Sequence, residues 1–198
     1  PQMTNDLLAK MSRSSVYARK VFHAKTGSRH IIICGELSST SMLDFFAELY
    51  HEDHEHDNLL SVILNHGVLS LEIKEVLNDR NYGPYLKYLE GTALYDKDLK
   101  RAAAESAVAI MMFTNKFTNN PDEEDAKTIM QHHSVKRYIE EQRGYEYANY
   151  SVQFCIQLVR PENQRHFGSS DSLTEQVICL NAIKMGIIAK SVMFPGSA

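Results

Sequence analysis

The sequence has no basic tract, no closely spaced cysteine pair, and no apolar run near the ~20 residues a membrane-spanning helix needs. Each absence excludes something. With a net charge of −4 and no run of lysine or arginine, the chain carries no electrostatic footprint for nucleic acid. Its three cysteines, Cys34, Cys155 and Cys179, each sit inside an apolar run, where a free thiol behaves as a small core residue. An odd count without a framework suits a reducing compartment. No signal peptide, internal repeat or low-complexity segment is visible. There is no nucleophile elbow, P-loop or HExxH, and no Ser-His-Asp order stands out.

What is present is globular composition: 198 residues, 43% hydrophobic and 23% charged, enough for one large domain or one and a half small ones. Nine histidines can shift the charge below neutral pH. Residues 1–29 are polar and basic with scattered apolar positions, and read as a linker or helical lead-in. Strands and helices then alternate. Strands are expected at 30–35, 59–64, 85–89, 107–113 and 151–158. Helices are expected at 38–50, 70–77, 96–103, from Asn120 to about Gly144, and from Leu173 to Met193 with an interruption at Gly186. Strands separated by helices imply an α/β fold, a parallel sheet flanked by helices.

The helix after Phe113 has the clearest start. Asn120 is a good N-cap, Pro121 takes the first helical position, and Glu123 falls where a capping box wants it. Asp122, Glu123, Glu124 and Asp125 crowd its first turn, which the helix dipole favours, and that accounts for them without an acid–base role.

His30-Ile31-Ile32-Ile33-Cys34-Gly35, a buried strand stopping on glycine before a helix, is how a Rossmann-like dinucleotide-binding domain opens. The phosphate-binding glycines are missing. Leu37 and Thr40 stand where glycine would let backbone approach a pyrophosphate, and Asn65 lies near the place of the ribose-binding acid. The scaffold is kept without its cofactor grip, so no nucleotide is expected. A regulatory or assembly module fits better than the enzyme alternative, a nucleotide-dependent oxidoreductase.

The densest polar cluster is His51-Glu52-Asp53-His54-Glu55-His56-Asp57, between the first helix and the second strand. Carboxylates in a loop can supply some of the oxygens calcium takes. A solvated turn explains the run equally, and zinc on the histidines is the weaker metal, since no cysteine is near. Met111 and Met112 read as core, and His132 and His133 as packing or surface residues.

Two stretches carry a family resemblance: Glu105 to Phe117 with Asn120 to Ala126, and Val177 to Ser191. With Gly27 to Gly35, they resemble the cytoplasmic region of large-conductance calcium-activated (BK, Slo-type) potassium channels, in one order over residues 27–195. The resemblance implies the first RCK (regulator of potassium conductance) domain, a nucleotide-free relative of the dinucleotide-binding fold. It implies a lead-in over 1–29, a Rossmann-like lobe over 30–171, and over 172–198 a long crossover-type helix that begins a dimerisation arm. It also implies a fragment of a membrane-anchored channel on the cytoplasmic side. Its partners would be a second RCK domain, neighbouring subunits of a homo-oligomer and the pore domain. A cytosolic ring of such domains couples Ca2+ binding to pore opening. An RCK assembly module without its own ion site is the alternative.

In the family, the first-domain calcium site uses an aspartate matching Asp53, completed by oxygens from the loop before the last long helix. Here that loop is Gly168-Ser169-Ser170-Asp171. Ser170 stands where an acid is expected, leaving Asp171 or Glu175 as substitutes. The candidate calcium set is therefore Asp53, Gly168, Ser170, Asp171 and Glu175. A magnesium site in the family pairs two glutamates, which match Leu60 and Lys87 here, so that site is expected to be lost.

Overall fold

A computed structural model describes residues 15–24, 27–35, 39–54, 58–66, 69, 71–144, 152–167 and 174–194. A single-turn helix α1 (Val16–Arg19) leads into β1 (Arg29–Gly35), α2 (Ser39–Leu49), β2 (Leu59–Asn65) and α3 (Leu71–Leu77). Then come β3 (Leu86–Glu90), α4 (Asp96–Arg101), β4 (Ala109–Phe113), α5 (Pro121–Arg143), β5 (Gln153–Leu158), β6 (Glu175–Cys179) and α6 (Leu180–Met193). The six strands form one sheet in the order β3-β2-β1-β4-β5-β6, and every pair is parallel. Chain direction reverses its march across the sheet between β1 and β4, which makes the switch point of a doubly wound fold.

Strand alternation divides the core into two layers. Ile32 and Cys34 of β1 face one side with Val62, Leu64, Ile110, Met112 and Ile156, under α4 and α5. Ile31 and Ile33 face the other with Ile63 and Tyr88, against Met42 and Phe46 of α2 and Ile73 and Val76 of α3. Both faces are covered, which is why the central strands read as continuous apolar runs.

The expected helix over 173–193 is two elements. Residues 175–179 form β6 on the open edge of β5, with Leu158 opposite Cys179, and α6 starts only at Leu180. Gln176 and Ile178 are exposed while Val177 packs against the core and Cys179 is buried, the period-two pattern of a strand. A short apolar run cannot separate the two conformations by itself, and an unpaired neighbouring strand decides it. Gly186 does not interrupt α6. The expected helix over 96–103 ends at Arg101, and Ala103 at φ 52° turns the chain into a short 3-10 turn at Ala104–Ser106.

Two local devices set the sheet's central edge. Gly35 ends β1 at φ 101°, and a Cβ there would overlap the Phe113 carbonyl, so β1 and β4 close together only around glycine. At the start of α5, the Asn120 amide donates to the Glu123 carboxylate at 3.1 Å instead of capping backbone, a side-chain variant of the expected capping box.

Candidate functional site

The turn that carries Asp53 begins from a fixed point. Tyr50, just past α2, is buried, its ring stacks on Tyr85 at 4.9 Å, and its hydroxyl meets the Ser61 hydroxyl of β2 at 2.7 Å. Beyond it the chain turns outward through a His54 N–H to His51 carbonyl bond of 3.0 Å. His51 Nδ1 accepts the Asp53 amide at 3.3 Å and also lies 3.3 Å from the Asp53 carboxylate. One nitrogen cannot accept from the amide and donate to the carboxylate together, so the contact is no ion pair while the ring is neutral. The Asp53 side chain is 86% exposed, so its oxygens are open to a ligand. His54 Nε2 lies 3.3 Å from Glu48 on α2. Glu55, His56 and Asp57 lie outside the described residues, and so do Gly168, Ser170 and Asp171. Among the described residues no group of three or more His, Cys, Asp or Glu side chains is placed to hold a metal ion.

Glu175, the remaining candidate, is engaged elsewhere. Its side chain is 8% exposed and accepts from Lys136 Nζ of α5 at 2.6 Å. It also lies 3.4 Å from His132 Nε2, without hydrogen-bond geometry. Burial alone would raise the Glu175 carboxyl; Lys136 and His132 outweigh it and hold it below the ordinary value. β6, which Glu175 opens, and β2, which follows the Asp53 turn, are four strands apart. At the usual strand spacing that is ~19 Å.

His132 itself is almost wholly buried between the Phe154 and Phe167 rings, with centroids at 5.0 and 5.1 Å. Burial holds its pKa down to about 4, against the pull of the Glu175 charge. Sequence reasoning set it aside as packing or surface. The signal available was Lys136 one turn on, on the same helix face.

Asp125 was also read too simply. It does not only face the α5 dipole. It is fully buried, and its carboxylate accepts the Val159 and Arg160 backbone N–H groups at 2.8 and 3.0 Å and the Asn163 amide at 2.8 Å. It locks α5 to the corner after β5.

At the C-terminal ends of β1, β2, β3 and β4 there is a cleft of about 200 Å³, lined by Gly35, Asn65, His66, Thr92, Lys127 and Gln131 among others. This is where a doubly wound sheet holds a dinucleotide. Asn65 ends β2, so no carboxylate meets a ribose from that strand end. Lys127 is taken by Glu124 at 2.7 Å. Leu60 of β2 and Lys87 of β3 offer an aliphatic chain and a cation.

The profile of the calcium-activated potassium channel slowpoke-like RCK domain matches residues 26–181. The chain is 29% identical over 174 residues to the calcium-activated potassium channel slowpoke of Drosophila melanogaster, covering 86% of this chain and 14% of that protein. It is 28% identical over 179 residues to the calcium-activated potassium channel slo-1 of Caenorhabditis elegans, covering 88% of this chain and 15% of that protein. It therefore spans a small part of the length of these relatives. The human SLO3 gating ring superposes with a TM-score of 0.61 at 22% identity, over 85% of this chain and 27% of that one, a likeness of fold. The chain belongs to the slowpoke-like RCK domain family of calcium-activated potassium channels.

Proposed function

We propose that this chain is a cytosolic gating-ring domain that couples calcium binding to the opening of a potassium pore. The observation that carries the reading is the slowpoke-like RCK match across residues 26–181, on a doubly wound parallel sheet. Asp53 contributes a carboxylate to the calcium, and the segment Gly168, Ser170 and Asp171 contributes the remaining protein oxygens. Glu175 stays with Lys136. An ion that binds one arrangement of the ring better than the other shifts the gating equilibrium by that difference in affinity.

The same reading assigns α6 to the contact with other RCK domains, a second one in the same subunit and those of neighbouring subunits. No residue of α6 is buried, and Ile183, Met185, Ile187, Ile188, Val192 and Met193 are all exposed. A helix apolar on every side is stable only under cover. Among the described residues no helix is long and apolar enough to cross a membrane, which fits a domain standing beside the pore.

Calorimetric titration with calcium tests the ion site, using the purified chain, Asp53→Ala and a magnesium control. Saturable heat that the substitution abolishes supports a sensor domain. Absence of heat in this chain and in a longer one carrying the second RCK domain leaves an assembly module. A nucleotide-dependent oxidoreductase is the more distant reading, and nucleotide retained through purification would revive it.

A further inference from the structure

The segment that leads into β1 is seated on a histidine. His30 of β1 is 1% exposed, and its ring lies against the Phe22 ring with centroids 4.7 Å apart and planes 48° apart. Strand alternation puts His30 on the face of Ile32 and Cys34, and Phe22 belongs to the core layer on that face. Phe22 is the only buried side chain among residues 15–24, with Val21 and His23 exposed on either side of it. The hold of the lead-in on the hydrophobic core therefore runs through this one pair of rings.

The buried ring suits a neutral imidazole. His30 Nε2 lies 3.2 Å from the Ala103 carbonyl, which can only accept, so Nε2 carries the hydrogen. That carbonyl also accepts the Ser106 N–H and hydroxyl at 3.0 and 3.1 Å. The neighbouring strands bring no charge: Leu60 of β2 lies opposite His30, and Val108 N–H, just before β4, donates to the His30 carbonyl at 2.9 Å. The lead-in carries Lys20 and His23 on either side of Phe22, and α4 carries Arg101, which is paired with Asp98. Glu105 of the 3-10 turn is the anion that favours a charged ring, and it already accepts the Tyr138 hydroxyl at 3.2 Å. Burial outweighs the Ala103 and Ala102 carbonyls and Glu105, and holds the His30 pKa below its ordinary 6.5.

We propose that His30 is a proton-controlled latch for the lead-in: a proton taken up by its ring loosens Phe22 and the segment around it from the sheet. Seating Phe22 shuts the ring away from water, so it favours the neutral form. With Phe22 lifted, the ring meets water and titrates near 6.5. Seating is therefore complete above about 6.5 and weakens as pH falls below it, by up to ~10-fold one pH unit lower. Arg101 confines the opening. It donates to the Tyr17 and Lys20 carbonyls at 2.8 and 3.0 Å and holds the start of the lead-in, while the Phe22 N–H bond of 2.8 Å to the Arg101 carbonyl opens with the ring. The latch is separate from the Asp53 turn and does not depend on calcium binding there.

The test is NMR on the purified chain between pH 7.5 and 5.5. It follows the histidine ring signals and the exchange protection factor of the Phe22 amide, a quantity from which the intrinsic pH dependence of exchange is removed. The Phe22 protection factor should fall by ~3- to 10-fold, more than those of the core amides of Val62 and Ile110. His23→Gln should leave that fall in place. His30→Gln, whose amide can still donate to the Ala103 carbonyl, should abolish it. By linkage, Phe22→Ala should raise the His30 midpoint towards 6.5. The wild-type ring signal serves even where a variant fails to fold. A wild-type His30 midpoint at or above 6.5 overturns the proposal. So does a Phe22 amide that only tracks the core, a fall that persists in His30→Gln, or a midpoint that Phe22→Ala leaves unchanged.

Discussion

The Arg101 guanidinium donates to the Tyr17 carbonyl at 2.8 Å across 84 positions of the chain. The same planar fork reaches the Lys20 carbonyl at 3.0 Å, the Glu90 carbonyl at 3.0 Å and the Asp98 carboxylate at 2.7 Å. It therefore ties α4, the end of β3 and the lead-in before β1 into one unit. Any displacement of the lead-in is handed to the sheet through this side chain.

Arg101→Lys keeps the charge and loses the fork. A single ammonium cannot serve four acceptors lying in different directions. The variant should lose about 2 kcal/mol of stability, the scale of one or two charge-assisted hydrogen bonds. Trypsin should also cut faster after Arg19 or Lys20. Urea unfolding and timed proteolysis check both, and an unchanged cleavage rate would refute the clamp.

Asp125→Asn tests the lock between α5 and β5. An amide keeps one oxygen and turns an NH2 towards donors that need an acceptor. With three bonds of 2.8 to 3.0 Å converging on a fully buried carboxylate, the expected loss is roughly 3 kcal/mol. A urea midpoint within error of wild type would show that the corner holds without it.

These residues mark where the sequence was legible. Strands β1 to β5, the helices between them and the start of α5 follow from runs and caps that local sequence carries. β6 did not, because Val177 and Ile178 sit beside a helical run and only the open edge of β5 selects the strand. Asp125 could be placed on the first turn of α5, but its partners at Val159, Arg160 and Asn163 lie 34 to 38 residues away. The acids of a helix N-terminus look alike until the fold buries one. For the calcium set, sequence alone could not see that Glu175 belongs to Lys136, 39 residues earlier.

His132 makes stability depend on pH in a defined window. Its ring takes a proton near 6.5 when unfolded but resists to about 4 in the fold, where burial outweighs Glu175, and His133 and Lys136 add repulsion. Stability that is fully present above about 6.5 should therefore fall as pH drops towards 4, and this group should cost nothing further below that. His132→Phe keeps a ring between Phe154 and Phe167 and removes the titration. Its melting temperature should gain on wild type as pH is lowered through that window. Parallel melting curves for the two proteins would remove His132 as the cause.

The last prediction concerns α6, whose apolar side chains have no cover among the described residues. Ile187 is 50% exposed and Ile188 60%, on a helix whose charges are Lys184 and Lys190 alone. Covering one such side chain contributes about 1.5–3 kcal/mol, and a two-fold contact counts each twice. If the helix meets a second RCK domain, Ile187→Asp should weaken self-association by at least ~10-fold in sedimentation velocity. The substitution sits on a helix without buried residues, so it should leave the thermal transition of the sheet in place. That combination separates an assembly surface from a structural one. An unchanged association constant would move the contact to another face, while a lost transition would mean that α6 supports its own domain.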